Sequence, residues 1–203
     1  MAARCRRCTG PSASSAPRRC PPFFRHRARR VRFLIFDVDG VLTDGGIYTG
    51  EMGELMKPFH VRDGLGIRIW QNEGGGTAII TGRDSAIVSF RAEELKIRDV
   101  FLGHIDKRAA YAALKEKHGL ADEEIAYIGD DLVDLPVMAQ VGFAAAPADA
   151  VAEVRQYAAL VTEAEGGRGA VREMVEFLLK AQGRWEDVVA RFLSPERLKD
   201  ISQ

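Results

Sequence analysis

From Val31 onward the chain alternates short apolar runs, rich in Val, Ile and Phe, with longer amphipathic stretches. That rhythm allows few folds other than a parallel sheet with helical crossovers. Runs at Val31–Phe36, Thr77–Ile80, Val100–Leu102, Ile125–Ile128, Gly142–Ala145 and Ala159–Val161 read as strands. Stretches at Asp63–Asn72, Asp84–Leu95, Asp106–His118, Leu132–Gln140 and Ala148–Arg155 read as helices, several opening on an aspartate suited to N-capping, with a last helix starting near Gly169. The expected fold class is α/β: a three-layer, Rossmann-like parallel sheet with helices on both faces.

One segment breaks the rhythm. Residues 41–61 carry two short apolar stretches, Ile47–Tyr48 and Leu55–Phe59, around the turn-prone Gly50-Glu51-Met52-Gly53. This predicts a β-hairpin inserted after strand one. An isolated hairpin is marginal in water, so one displaying Ile47, Tyr48, Leu55, Met56 and Phe59 is expected to pack against a neighbouring subunit. Only 22 residues separate Gly40 from Asp63, and 25 separate Thr81 from Lys107, too few for a cap domain in either place. Specificity is then expected to come from a neighbouring subunit rather than a lid.

Charge divides the chain unevenly. Residues 1–30 hold nine arginines and no acid, so of 29 basic and 29 acidic residues in the whole chain, 20 basic and all 29 acidic lie beyond, giving that part a net −9. The Pro, Ser and Arg content of residues 1–30 reads as a disordered arm; it also resembles a transit peptide or translation from a misassigned start, and lacks the apolar stretch of a secretory signal. Residues 31–183 are expected to form the domain and 184–203 a helical tail. Cys5, Cys8 and Cys20 all lie in the arm, which leaves the domain no disulfide and no thiol nucleophile. One Cys-x-x-Cys pair is weak evidence for zinc. The expected setting is the cytoplasm, with neither nucleic acid nor membrane as a partner; no apolar run approaches the roughly 20 residues of a bilayer span.

Ligands of an open parallel sheet bind at the carboxyl ends of its strands. There the sequence places Asp37-Val38-Asp39-Gly40 after the first strand, Thr81-Gly82-Arg83 after the second, Lys107 after the third and Gly129-Asp130-Asp131 after the fourth. Each group suits phosphoryl transfer. Carboxylates repel a phosphate dianion unless a hard divalent cation, most simply Mg²⁺, lies between them. Asp37 is then the candidate nucleophile, forming an aspartyl-phosphate, and Asp39 the acid/base that protonates the leaving alkoxide and later deprotonates water. Thr81 and Lys107 are candidates for holding the phosphate oxygens. Asp130 is the expected further metal carboxylate, with Asp131 or Asp134 completing or supporting the shell. For a substrate that also carries a carboxylate, Arg62, Arg83 and Arg168 are the candidate contacts. His60 reads as a packing residue, and Trp70 and Trp185 as core or interface.

Taken singly, an Asp-x-Asp after a strand is often a turn and a lone lysine a solvated charge; the ordered series at successive strand ends is what carries the reading. With Asp37-Val38-Asp39-Gly40-Val41-Leu42-Thr43-Asp44, Thr81-Gly82-Arg83, Lys107 and Gly129-Asp130-Asp131, the chain resembles the haloacid dehalogenase superfamily of phosphatases. Longer strings at 57–64, 129–138 and 166–173 narrow the resemblance to members acting on an eight-carbon sugar-acid phosphate on the way to lipopolysaccharide. The resemblance implies Asp37, Asp39, Thr81 and Lys107 as the catalytic set and Asp37, Asp130 and the backbone carbonyl of Asp39 on Mg²⁺. It also implies a homotetramer whose hairpins, within residues 44–60, meet in a central barrel. Competing readings are a phosphatase of another ulosonic acid, such as a sialic-type 9-phosphate, and a non-catalytic oligomerisation module, which the full catalytic set disfavours. A receiver domain would carry its acceptor aspartate after the third strand.

Overall fold

The computed structural model describes residues 26–194. Cys5, Cys8 and Cys20, most of the arginine-rich arm and the end of the tail lie outside the described residues. Six strands form one parallel sheet: β1 (Phe33–Phe36), β4 (Gly76–Ile80), β5 (Asp99–Phe101), β6 (Ile125–Ile128), β7 (Phe143–Ala146) and β8 (Leu160–Val161), in the order β5-β4-β1-β6-β7-β8. β2 (Tyr48–Gly50) and β3 (Gly53–Met56) form a separate antiparallel hairpin. The helices are α1 (Val61–Asn72), α2 (Ala86–Glu94), α3 (Arg108–His118), α4 (Leu135–Met138), α5 (Ala152–Tyr157), α6 (Ala170–Ala181) and α7 (Trp185–Phe192).

Strand side chains alternate between faces, and the core divides accordingly. Leu34, Phe36, Ile79, Ala126 and Ile128 face a cluster that includes Trp70 of α1, Val88 of α2, Met174 and Leu178 of α6, and Val188 of α7. Phe33, Ile35, Ala78, Ile80 and Tyr127 face Tyr111 and Leu114 of α3, Val137 of α4 and Val154 of α5. Both faces are thus covered, which is why β1, β6 and β7 are buried at every position. The three-layer sandwich matches the expectation, with strand limits shifted by a residue or two. The expected helix at Leu132–Gln140 is a 3₁₀ turn at Leu132–Asp134 followed by the single turn of α4.

Three local expectations are corrected. Only some of the aspartates serve their own helix starts: His60 caps α1 and Ser85 caps α2, while Asp106 accepts from Arg108 N at 3.1 Å at the start of α3 and Asp131 caps its 3₁₀ turn. Asp63 is buried and reaches across to the start of α6, accepting from Gly169 N at 3.1 Å and Arg172 N at 2.8 Å. Phe59 is not displayed by the hairpin. It packs against the core beneath the Arg91 guanidinium, 5.6 Å from its centroid. The arm does not extend to residue 30: Ala28 is fully buried in the main core, and Arg29 Nε donates to Ala181 O at 3.0 Å.

The hairpin turns through Glu51 and Met52, and its side chains stay outside the core: Ile47 is 59% exposed, Leu55 68% and Met56 47%. Nothing larger than this hairpin is inserted between β1 and α1.

Asp63 satisfies the first N–H groups of α6, whose own cap position is Gly169 and supplies no side chain. Asp63→Ala is expected to destabilise the protein by about 2 kcal/mol, lowering Tm by roughly 4–8 °C in a thermal melt, with Asp63→Asn milder because its amide oxygen still accepts one bond.

Candidate active site

β1 is where the strand order reverses, with β4 and β5 on one side and β6, β7 and β8 on the other. A crevice opens beyond the carboxyl ends of strands at such a point. Asp37 follows β1 directly, its N–H donating to Ile128 O of β6 at 3.1 Å. Thr81 follows β4 and is buried, and Asp130 follows β6. Lys107 immediately precedes α3, with no side-chain exposure at all.

A buried ammonium is tolerated only with partners. Lys107 Nζ lies 2.5 Å from Asp134 Oδ1 and 2.9 Å from Asp37 Oδ1, and donates to the Tyr127 hydroxyl at 3.1 Å. Burial works against its charge, but Asp37 and Asp134 outweigh that and hold its pKa above the ordinary value. Asp134 is a hub: the Tyr127 hydroxyl also donates to its Oδ1 at 2.5 Å, while its Oδ2 accepts from Asp130 N at 2.9 Å and Asp131 N at 3.2 Å. Its oxygens are therefore engaged in placing Lys107 and the 129–131 turn. Gly129 belongs to the same packing, since a Cβ there would lie 2.4 Å from the Asp134 carboxyl carbon.

Asp37 and Asp130 are left short of positive charge. Burial, then repulsion from Asp134, pushes the Asp37 carboxyl up to about 7 despite Lys107. Burial and the charge of Asp37 push Asp130 up to about 8. Asp37 Oδ1 is buried and, although close to Lys107, has no hydrogen bond of acceptable geometry. Oxygens of Asp37, Asp130 and Asp134 all lie within 4.8 Å of one another. An all-carboxylate set with an unsatisfied buried oxygen fits a hard divalent cation, and Mg²⁺ suits it better than a softer metal.

Asp39 faces elsewhere. Its Oδ1 pairs with the buried Lys57 Nζ, which also lies 3.2 Å from Glu54 Oε1; Glu54 in turn accepts from the Ser85 hydroxyl. Thr81 Oγ1 accepts from Arg83 N at 3.4 Å, so its own proton remains available to donate. Two glycine loops seal the floor. Gly40, at φ 84°, passes Asp130 so closely that a Cβ would lie 2.1 Å from Oδ2; a Cβ on Gly166 would lie 1.9 Å from Gly40 O. Gly167 N donates to Val41 O at 2.9 Å, tying the 166–169 loop to the 40–44 turn.

The structure brings together Asp37, Lys107, Asp130 and Asp134, while the Asp39 side chain pairs with Lys57 beside Glu54. Arg62, Arg83 and Arg168 are exposed; Arg168 Nη2 lies 3.8 Å from Asp44 Oδ2, and the Arg83 charge acts on Glu54. Lys57, Glu54, Ser85 and Tyr127 were not assigned roles from the sequence. Tyr127 carried a signal, because a tyrosine inside a buried strand needs a partner for its hydroxyl. Lys57, one cation after a hairpin, carried no signal beyond its place in the 57–64 string.

Carboxylates and one ammonium gathered at a strand edge, beside a free hydroxyl donor, are equipped to exchange a phosphoryl group with an aspartate. The fold and site define a phosphohydrolase. A family model of haloacid dehalogenase-like hydrolases matches residues 77–174. A 3-deoxy-D-manno-octulosonate 8-phosphate phosphatase of Salmonella typhimurium is 46% identical over 82% of this chain and 88% of its own. The phosphatase of that name from Yersinia pestis has a crystal structure with TM-score 0.79 and 47% identity, covering 81% of this chain and 89% of that one. The Moraxella catarrhalis phosphatase, solved with magnesium ion, phosphate ion and KDO, aligns with TM-score 0.81 at 39% identity, over 83% of this chain and 97% of that one. The chain belongs to the haloacid dehalogenase-like hydrolases, in the family of the 3-deoxy-D-manno-octulosonate 8-phosphate phosphatases.

The raised carboxyls make metal-free stability pH-dependent. Asp37 and Asp130 keep protons in the folded state at pH values where the unfolded chain has released them, so their contribution to stability is full below about pH 4 and lost as pH rises through about 8. Millimolar Mg²⁺ is expected to raise Tm by several degrees at pH 8.5 and by less than about 1 °C at pH 5, read by differential scanning fluorimetry. Equal shifts at the two pH values would contradict the charge-shortfall picture.

Proposed function

We propose that this chain hydrolyses 3-deoxy-D-manno-octulosonate 8-phosphate to the free sugar acid and phosphate, with Asp37 as nucleophile and Mg²⁺ as cofactor. The observation that carries the reading is the cluster of Asp37, Asp130 and Lys107 at the switch point of the sheet, in a chain nearly half identical to phosphatases of that name. The same sugar acid, magnesium and phosphate are named with the Moraxella catarrhalis neighbour, which supports both substrate and metal.

In the first half-reaction a carboxylate oxygen of Asp37 bonds to phosphorus as the ester P–O bond breaks, and Asp39 gives its proton to the departing alkoxide. In the second, water attacks phosphorus, its proton passes to Asp39, and Asp37 leaves as carboxylate. Thr81 donates its hydroxyl proton to a phosphate oxygen and Lys107 offsets negative charge there. Asp37, Asp130 and the backbone of Asp39 would hold Mg²⁺, which would supply the charge that lets two anions approach. Lys57 and Glu54 set where the Asp39 carboxylate lies. Arg62, Arg83 and Arg168 are the cations assigned to the substrate's carboxylate and hydroxyl end.

The exposed Ile47, Leu55 and Met56 support a homotetramer built through the 44–60 hairpins, each shielding a neighbour's open site. Among the described residues no helix is long and apolar enough to cross a membrane. A cytoplasmic setting goes with this reading, as does the role in lipopolysaccharide formation that the family resemblance implies.

Asp37→Asn is expected to cut turnover by about a thousandfold or more while leaving the fold intact by circular dichroism. An active variant would refute the nucleophile. A phosphate-release assay should favour the eight-carbon 8-phosphate over a sialic-type 9-phosphate by at least about tenfold, with activity lost on chelation and restored by Mg²⁺. The reverse preference would move the assignment to the nine-carbon substrate.

A further inference from the structure

The end of the sheet opposite the catalytic carboxylates opens on a cleft of about 610 Å³. Arg32 at the entry to β1, Arg68 of α1, the glycine turn at 74–76 before β4, and Lys96 and Arg98 between α2 and β5 contribute its walls. Four permanent cations therefore line a space that contains one carboxylate, Asp99. Asp99 is buried and committed to α3, accepting from Lys117 Nζ at 2.6 Å and lying 2.9 Å from His118 Nε2. Arg32 is shared with Glu124 at 2.7 Å, and Arg68 Nη1 donates to Gln71 Oε1 at 2.7 Å. Since the chain beyond residue 30 is net −9, a gathering of cations here runs against its average charge.

A second observation points the same way. Lys96 has φ 56°, and every other positive-φ residue among the described residues is glycine. It ends α2 in a left-handed turn, with Lys96 N donating to Glu93 O and Ile97 N to Ala92 O, each at 2.9 Å. Glycine takes this position without steric cost, and a lysine does not. The lysine held in this conformation is one of the residues that line the cleft.

We propose that this cleft binds a small polyanion bearing phosphate or carboxylate groups, at a site separate from the catalytic centre. Arginine forks bind both kinds of group in bidentate fashion, and the volume accommodates a molecule with several of them. The four residues of β1, at about 3.3 Å each, put roughly 13 Å of sheet between this end and Asp37, so one small ligand does not reach both.

The test is calorimetric titration of tripolyphosphate and, separately, citrate into the full-length protein without Mg²⁺ at fixed ionic strength. Wild type, Lys96→Gly, the pair Lys96→Gly with Arg98→Gln, and Thr81→Ala are compared. The paired substitution is expected to weaken binding at least about tenfold while phosphatase activity stays within about twofold; Thr81→Ala leaves binding within about twofold. Lys96→Gly alone should bind more weakly yet melt at a higher temperature, opposite movements that a purely structural lysine would not produce. The tighter probe identifies phosphate or carboxylate as the group recognised. The site is overturned by binding that survives the paired substitution, by binding that Thr81→Ala removes, or by no saturable binding of either probe up to about 10 mM.

Discussion

The ammonium of Lys107, buried without exposure between Asp37 and Asp134, is the interaction on which the site rests. An isolated charge at that depth would cost several kcal/mol, so the lysine is stable only where two carboxylates and the Tyr127 hydroxyl converge. They converge because β1 lies beside β6 and the start of α3 comes over the same edge. Three carboxylates, Asp37, Asp130 and Asp134, face one ammonium, which leaves a formal shortfall of two positive charges. That shortfall equals the charge of one magnesium ion. Asp39 stands outside this account because Lys57 balances it separately.

Backbone packing gives the charges their fixed positions. Side chains are absent where the 40–44 turn, the 166–169 loop and the 129–131 turn meet, since a Cβ on Gly40, Gly129 or Gly166 would collide with an aspartate or a carbonyl. Asp63 then ties the 166–169 loop to α1 by capping α6 through Gly169 and Arg172. The site is thus held by connections between elements far apart in the chain, and a substitution distant from the chemistry, such as one at Asp63, bears on it through the loop.

Much of this was legible in the residues. The alternation of apolar runs and amphipathic stretches implied a parallel sheet because a strand buried on both faces has no room for polar residues, and the order of strand-end motifs implied one shared edge. Other features were not legible. Asp63 reads as the cap of its own helix because local sequence is blind to a helix start 106 residues away. Phe59 reads as a hairpin residue, yet tertiary packing turns it inward under Arg91. Ala28 lies in a stretch whose composition argues for disorder, and a small side chain gives no sign that it fills the core.

Sequence by itself determined the layered architecture and the hairpin, and gathered the candidate reacting groups at one sheet edge, because periodicity and residue chemistry are local properties that survive without coordinates. The electrostatic balance was decided only by tertiary structure: which carboxylate meets which cation, how far Asp37 and Asp130 are pushed from their ordinary acidity, and that Lys57 rather than solvent faces Asp39. The reason is physical. Charge interactions depend on distance and burial between residues that the chain separates widely, and only the folded sheet sets both.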